Sequence, residues 1–168
     1  IRRQGIFSKF VPLQPITCVV PSINVDSVIS GTILGQVFLW VDRNCVRSVH
    51  AHDGSINSMY SSDHGVLSGG DDNRIRIWSH KLEPGATFDL TFFGILPSVR
   101  SVSLSTDGTC IVFGTLGGNI FEISAIDGSD LRGGPIACSH YTGKLRCVSV
   151  HPSKHEFTSV GDDKQLRI

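Results

Sequence analysis

The sequence has no excess of charge of either sign. Lysine and arginine together number 15, and aspartate and glutamate also number 15, so the 168-residue chain has a formal net charge of zero. Proteins that hold nucleic acid through its phosphates need an excess of basic residues. The balance therefore argues against a nucleic acid partner, and against a surface that holds an acidic partner by net charge alone.

The sequence also lacks a long apolar run and a regular cysteine spacing. No stretch is long enough to cross a bilayer as a helix, and no secretory signal peptide is visible, so we expect no membrane partner. An odd number of scattered cysteines is typical of free thiols in a reducing compartment. The five cysteines are Cys18, Cys45, Cys110, Cys138 and Cys147.

Two tryptophans mark a repeat in what is present. Trp40 and Trp78 each end an alternating run of the kind that forms a β-strand. Similar runs cover 118–123, where Ile123 takes the place of tryptophan, and 164–168. A recurrence of roughly 40–45 residues is the spacing of four-stranded blades in a WD-type β-propeller.

The residues around each run complete the blade pattern. A strand and a tight turn precede every run, and the turns contain the glycine and aspartate that suit such backbone. The turns are at 32–35, 70–72, 115–118 and 161–163. The inner strands are predicted at 15–20, 55–60, 99–104 and 145–150. The outer strands are predicted at 45–49, around 87–92, and at 135–139. No stretch has a helical period. The fold class predicted is all-β, a partial β-propeller of about four WD-type four-stranded antiparallel blades.

We predict one domain over 1–168. Its blades cover roughly 14–49, 55–92, 98–139 and 144–168. The chain starts at Ile1 and stops at Ile168 within an apolar alternation, so we expect both ends to be cut from a larger protein. A partial ring leaves two blade faces uncovered, and we therefore expect the isolated segment to aggregate or to depend on neighbouring blades of its parent chain.

The second unit carries every residue of a polar network that is known from WD-repeat blades. His52 lies in the turn before the inner strand, Ser68 on the next strand, Asp72 in the tight turn and Trp78 on the third strand. The WD-repeat pattern implies a hydrogen-bonded chain from the aspartate through the histidine and serine to the indole. Such a chain makes a blade rigid when every member is satisfied.

The first and fourth units contain parts of this network, whereas the third lacks both the aspartate and the tryptophan. The degeneracy should soften those blades without removing the fold. The fourth unit has His140, Ser159 and Asp163, the first has Trp40 but Leu34 in place of the aspartate, and the third has Gly117 and Ile123 instead.

Two chemical alternatives compete with this structural interpretation. A serine, a histidine and an aspartate in one unit raise the possibility of a hydrolase, but no G-x-S-x-G elbow surrounds the serine and the turn itself requires the aspartate. Cys138, His140 and Cys147 form at most a partial zinc site, because zinc needs four ligands with tight paired spacing. We therefore predict no catalytic residue, metal or cofactor.

Four further polar residues have structural explanations. Arg74 and Arg76 interrupt an apolar strand, and we expect their stems to cover apolar surface while their guanidinium groups reach solvent. His151 and Lys154 lie in a hairpin turn, where solvation is favoured and a partner contact is the alternative. The sequence does not identify partner-binding residues.

The chain also resembles one family of WD-repeat proteins. The lead-in at 3–9 (Arg-Gln-Gly-Ile-Phe-Ser-Lys), the turn at 51–56 (Ala-His-Asp-Gly-Ser-Ile), the register of 67–78 and the degenerate third unit are similar to the echinoderm microtubule-associated protein-like family. The resemblance covers nearly the whole chain. It implies a tandem double propeller that associates with tubulin and microtubules, in the cytoplasm at the cytoskeleton or in a cilium.

Two functions from different classes are consistent with these observations. The first is a non-catalytic protein-interaction scaffold that binds tubulin or a microtubule-associated protein through loops and a rim. The alternative is a generic WD-repeat adaptor in another multiprotein complex. An enzyme ranks third, because no nucleophile, base and oxyanion arrangement can be named.

Overall fold

The computed structural model describes residues 14–23, 26–42, 44–93, 98–138, 145–154 and 156–168. Over this part of the chain, the strands form four separate antiparallel sheets. In each sheet the order of the strands is their order in the sequence, so every sheet is a meander. We number the sheets blades 1 to 4 along the chain.

Blades 1 and 2 are complete four-stranded sheets. Blade 1 comprises β1 (Ile16–Pro21), β2 (Ser27–Thr32), β3 (Gln36–Val41) and β4 (Asn44–His50). Blade 2 comprises β5 (Ile56–Ser62), β6 (Gly65–Gly70), β7 (Arg74–Trp78) and β8 (Pro84–Asp89). A short 3-10 helix, Leu90–Phe93, then leads toward blade 3.

Blades 3 and 4 are less regular. Blade 3 comprises β9 (Val99–Leu104), β10 (Cys110–Thr115), β11 (Asn119–Ser124) and a two-residue β12 (Ala137–Cys138). Blade 4 has three strands among the described residues, β13 (Leu145–Val150), β14 (Phe157–Gly161) and β15 (Leu166–Arg167).

The blades stack in chain order, and apolar side chains fill the spaces between them. All six residues of β6 are buried, because blade 1 covers one face of this sheet and blade 3 covers the other. Val66 packs toward blade 1 and Leu67 toward blade 3. Covering on both faces explains why the strands are apolar at successive positions, and each such side chain contributes about 1.5–3 kcal/mol. The stack is the partial propeller that the repeat predicted.

The β-turn before the third strand of every blade places one residue at positive φ. This residue is Gly35 (φ 78°) in blade 1, Asn73 (φ 56°) in blade 2, Gly118 (φ 84°) in blade 3 and Lys164 (φ 59°) in blade 4. Glycine and asparagine enter this region readily, whereas lysine pays a steric penalty there. The glycine-rich turns predicted from the sequence therefore meet a real backbone requirement, which blade 4 satisfies with a strained residue.

Side chains join the inner strands of successive blades. Backbone ladders stay within each blade, so the inner strands are connected through hydroxyl and amide groups. Ser101 Oγ accepts the N–H of Val148 at 2.8 Å and so ties β9 to β13. Ser58 accepts the N–H of Val102 and Ser103 accepts the N–H of Val150 in the same way, each at 3.2 Å. Between blades 1 and 2 the direction is reversed, because the hydroxyl of Thr17 donates to the carbonyl of Ile56.

The structure corrects two outer strands. The predicted strand at 87–92 begins earlier, at Pro84, and ends at Asp89, because residues 90–93 turn into the 3-10 helix. The predicted strand at 135–139 is reduced to Ala137–Cys138, while Ser139 lies outside the described residues. Proline at the first residue of β8 is compatible with an edge strand, which has no partner on its outer side.

Candidate functional site

The four network residues of blade 2 lie within hydrogen-bonding distance of one another. His52 Nε2 is 2.7 Å from Ser68 Oγ, and His52 Nδ1 is 2.7 Å from Asp72 Oδ1. The indole N–H of Trp78 donates to Ser68 Oγ at 2.9 Å. The chain of contacts therefore runs from the turn aspartate to the third strand without a break.

The donors and acceptors of this network can be assigned from its chemistry. An ionised carboxylate only accepts, so Nδ1–H of His52 donates to Asp72. Nε2 is then the acceptor for the hydroxyl proton of Ser68, whose oxygen in turn accepts from Trp78. Every polar atom of the histidine and the serine is used inside the protein.

Asp72 is held in its ionised form by its neighbours. Burial by itself raises the pKa of this carboxyl, but hydrogen bonds from His52 and Arg76 outweigh burial and hold the pKa well below its usual range. Oδ1 also accepts the N–H of Arg74, and Oδ2 the N–H of Asp53. One carboxylate thus fixes the turn, the histidine and the strand that follows.

Arg76 belongs to the network, and our expectation that its guanidinium reaches solvent was wrong. Its Nη1 lies 2.9 Å from Asp72 Oδ2, and 17% of the side chain is exposed. Arg74 also has a partner, since its Nε donates to Asp89 Oδ2 at 3.3 Å. The arginines follow the turn aspartate by two and four residues, so a D-x-x-x-R spacing was the signal that the sequence interpretation missed.

Blade 4 repeats the aspartate–arginine pair. Asp163 Oδ2 is 3.0 Å from Arg167 Nη2, and Asp163 Oδ1 accepts the N–H of Gln165 at 3.1 Å. Ser159 is buried on β14, in the position that Ser68 has in blade 2. His140, the predicted fourth partner, lies outside the described residues, so the blade 4 network stays a prediction.

Blade 1 retains one link of the network. Trp40 Nε1–H donates to Ser30 Oγ at 2.8 Å, as Trp78 does to Ser68. Leu34, in place of the turn aspartate, is 60% exposed and contributes no hydrogen bond from its side chain. The tryptophan–serine contact therefore persists where the aspartate has been lost.

Blade 3 replaces the polar network with apolar packing. Phe113 occupies the serine position and Ile123 the tryptophan position, and both are fully buried. The ring of Phe113 stacks on Phe121 with centroids 5.3 Å apart, and Phe93 packs against both rings. Offset aromatic pairs add about 0.5–1.5 kcal/mol beyond burial. Blade 3, which lacks the polar residues in its sequence, therefore fills the serine and tryptophan positions with apolar side chains.

The burial of the serine and histidine excludes substrate from them. Ser68 is 0% and His52 1% exposed. A nucleophile must contact its substrate, and Ser68 Oγ is enclosed by His52 and Trp78. In this arrangement the two residues stabilise the blade, and their burial is incompatible with a role in hydrolysis.

The remaining candidates from the sequence are the hairpin turn at His151 and Lys154 and the partial zinc site. Nδ1 of His151 accepts the backbone N–H groups of Ser153 and Lys154, each at 3.1 Å, so it caps its own turn. The side chain of Cys138 and residue His140 lie outside the described part. Among the described residues, no group of three or more His, Cys, Asp or Glu is placed to hold a metal ion.

A cavity of about 640 Å³ lies between blades 3 and 4. Val112, Val150 and Phe157 line it, together with the Arg132–Glu122 ion pair at 2.6 Å. Between blades 1 and 2, by contrast, Trp78 and Leu82 belong to a buried apolar cluster. We assign no ligand to the cavity. No helix in the described part of the chain is long and apolar enough to cross a membrane.

Comparison with known proteins identifies the repeat. Residues 43–79 match the family described as "WD domain, G-beta repeat". This segment contains the whole polar network of blade 2. The β-propeller architecture also occurs in solved structures of low sequence identity. These include the computationally designed Ika4 protein (TM-score 0.72, 17% identity, 99% of this chain and 97% of that chain) and the β-propeller domain of Cps50 (Swd1) from Myceliophteria thermophila (TM-score 0.73, 18% identity, 89% and 48%).

Several curated relatives align with almost all of the chain. "Echinoderm microtubule-associated protein-like 4" of Xenopus tropicalis is 24% identical over 98% of this chain, and the chain covers 19% of that protein. "Echinoderm microtubule-associated protein-like 2" of Rattus norvegicus is 26% identical over 99% of this chain, which covers 25% of that protein. "Echinoderm microtubule-associated protein-like 1" of Mus musculus is 28% identical over 99% of this chain, which covers 20% of that protein. The chain thus spans a quarter or less of these relatives, and the predicted WD-repeat propeller with its resemblance to this family is confirmed.

Proposed function

We propose that the chain is part of a non-catalytic protein-interaction scaffold that associates with microtubules in the cytoplasm, through tubulin or a microtubule-associated protein. The observation that carries this proposal is the alignment of 98–99% of the chain with proteins named for microtubule association. The names make no reference to cilia, so a ciliary location is not part of the proposal.

The architecture supports a scaffold role. The polar groups of blade 2 are consumed internally, in a network that fixes the backbone, and apolar contacts hold the blades together. Rigid blades present their turns and edges at constant positions, and this property suits a surface that binds other proteins. The WD-repeat fold therefore favours an interaction module over an enzyme.

Co-sedimentation tests the microtubule proposal. The full-length protein is mixed with microtubules assembled from purified tubulin and centrifuged at several salt concentrations, with the protein alone as control. We expect pelleting with microtubules and little pelleting without them. Because this segment has zero net charge, its own contribution to microtubule binding should depend weakly on the salt concentration. A folded full-length protein that stays in the supernatant at every salt concentration contradicts the proposal and favours an adaptor in another complex.

A further inference from the structure

Successive blades are joined by connectors, the segments between the last strand of one blade and the first strand of the next. In the connector from blade 1 to blade 2, the N–H groups of Ala51 and His52 donate to the carbonyl of Gly35, at 2.8 and 3.1 Å. In the connector from blade 2 to blade 3, the N–H of Leu90 donates to the carbonyl of Asn73 at 3.0 Å. Gly35 and Asn73 are the positive-φ residues of their β-turns. Both connectors are therefore bonded to the same point of the preceding blade.

The first connector also contacts the following blade, through the side chain of His52. Its Nε2 lies 2.7 Å from Ser68 Oγ, and its Nδ1 lies 3.0 Å from Nη1 of Arg76. Ser68 and Arg76 are directly opposite each other on β6 and β7. One connector side chain thus contacts a cross-strand pair of blade 2.

The second connector contacts blade 3 through Phe93 in a similar way. The half-buried ring of Phe93 packs on Phe121 and on Phe113, with ring centroids 5.0 and 6.2 Å apart. Phe113 and Phe121 are also directly opposite each other, on β10 and β11. The contact is again made with a cross-strand pair.

The register of the sheets shows that these two cross-strand pairs are equivalent. Ser68 pairs with the fourth residue of inner strand β5, and Phe113 pairs with the fourth residue of inner strand β9. Phe113 is therefore at the position of Ser68. Phe121, which lies opposite Phe113, is at the position of Arg76. Three phenylalanines thus repeat, in apolar form, the contacts that the histidine, serine and arginine make in blade 2.

We propose that Phe93 is the positioning residue of the connector between blades 2 and 3, at the place that His52 has between blades 1 and 2. Its ring holds the 3-10 helix Leu90–Phe93 on blade 3, while the buried Leu90 and its N–H bond hold the same helix on blade 2. Unlike the contact of His52, this contact includes no titratable group. The assignment is independent of the proposed microtubule role, because it concerns contacts within the stack of blades.

Amide hydrogen exchange of the full-length protein, followed by mass spectrometry, tests this assignment. In Phe93→Ala we expect the protection of the amides of Leu90–Phe93 to fall about tenfold, because the contacts with two rings are lost. Exchange in the connector at 51–55 should not change, since His52 holds that connector on blade 2. Phe93→Leu keeps an apolar side chain and should fold readily, but it lacks the ring faces, so protection should fall roughly threefold.

Phe92→Ala is the matched control for these variants. Phe92 is the preceding residue of the same helix, it is 60% exposed, and among the described rings it contacts only Phe93. We therefore expect a change in protection well below that of Phe93→Ala. The double variant Phe93→Ala/Phe121→Ala should lower protection of the helix little further than Phe121→Ala alone, because both substitutions remove the same contact.

Unchanged protection of the helix in Phe93→Ala overturns the assignment, as does an equal fall in Phe92→Ala. Faster exchange in every blade would show that Phe93 contributes to global stability and does not position the connector. Full protection in Phe93→Leu would contradict the role of the ring faces. Strictly additive losses in the double variant would contradict a shared contact between Phe93 and Phe121.

Discussion

Ser68 is the residue where the polar network of blade 2 converges. Its hydroxyl serves both the imidazole of His52 and the indole of Trp78, and all three side chains are buried. Ser68→Ala leaves one buried acceptor and one buried donor without partners, so we expect a loss of about 2–4 kcal/mol in the free energy of unfolding. Urea denaturation measures this loss. Ser30→Ala, which frees the indole of Trp40 alone, should cost about 1 kcal/mol, and equal costs would contradict the convergence.

Asp72 makes the stability of blade 2 dependent on pH. The hydrogen bonds to His52 and Arg76 hold its folded-state pKa below the value of about 4 expected in the unfolded chain. Its contribution is therefore complete above about pH 4 and declines as the pH falls through the folded-state pKa. Asp72→Asn should lower stability most near neutral pH, with the difference from wild type shrinking below about pH 4.

Urea titrations at several pH values measure this difference, and Asp107→Asn provides a control. The pKa of Asp107 is lowered to about 2 by hydrogen bonds from Ser105 and Thr109, but its carboxylate is exposed to solvent. Solvent screening should make its effect on stability smaller. A difference between wild type and Asp72→Asn that is constant with pH would show that the charge of Asp72 does not act as described.

At the scale of the element, the turn before the third strand offers a matched pair of substitutions. Lys164 adopts a φ of 59°, so Lys164→Gly should stabilise the protein by about 1 kcal/mol. Gly35→Ala should destabilise it, because a Cβ there would lie 1.8 Å from the carbonyl oxygen of His52. Thermal unfolding measures both changes. Gly133→Ala, also at positive φ but with no atom within 4 Å of the added Cβ, separates backbone strain from this clash.

The element scale also shows how far the sequence predicts the structure. Strands β9 and β13 agree with the predicted ranges, because apolar runs between turn residues are unambiguous signals. The outer strand of blade 1, predicted at 45–49, lies within β4 (Asn44–His50), whereas the outer strands of blades 2 and 3 were misplaced, since an edge strand has one partner and a weak pattern. Ser68 and Trp78 were recognised from spacing within one blade. The role of Ser101 was not, because its partner Val148 is remote in sequence and belongs to the next blade.

At the scale of the whole molecule, stability should depend on contacts between neighbouring blades. Ser101→Ala leaves the N–H of Val148 without its partner at the junction of blades 3 and 4. We expect faster amide hydrogen exchange in β13 and unchanged exchange in β2 and β3, measured by mass spectrometry. Uniform acceleration in every blade would indicate that the stack opens as one cooperative unit.

The 168-residue segment produced alone should self-associate. Apolar side chains are exposed on its first and last sheets, including Val19 at 59% and Leu166 at 64%. Exposed sheet faces of this kind associate in water. Size-exclusion chromatography with light scattering should show species larger than a monomer. A monomer that unfolds in one cooperative transition would contradict this expectation.

The side-chain bonds between inner strands have a mechanical consequence. Within a blade, many backbone bonds resist shear together, whereas Ser101 and its counterparts join neighbouring blades through isolated bonds and apolar contact. A tensile load applied to the two ends of the chain therefore reaches the junctions first. In an optical trap the extension should increase in discrete steps, each equal to the length of about one unfolded repeat.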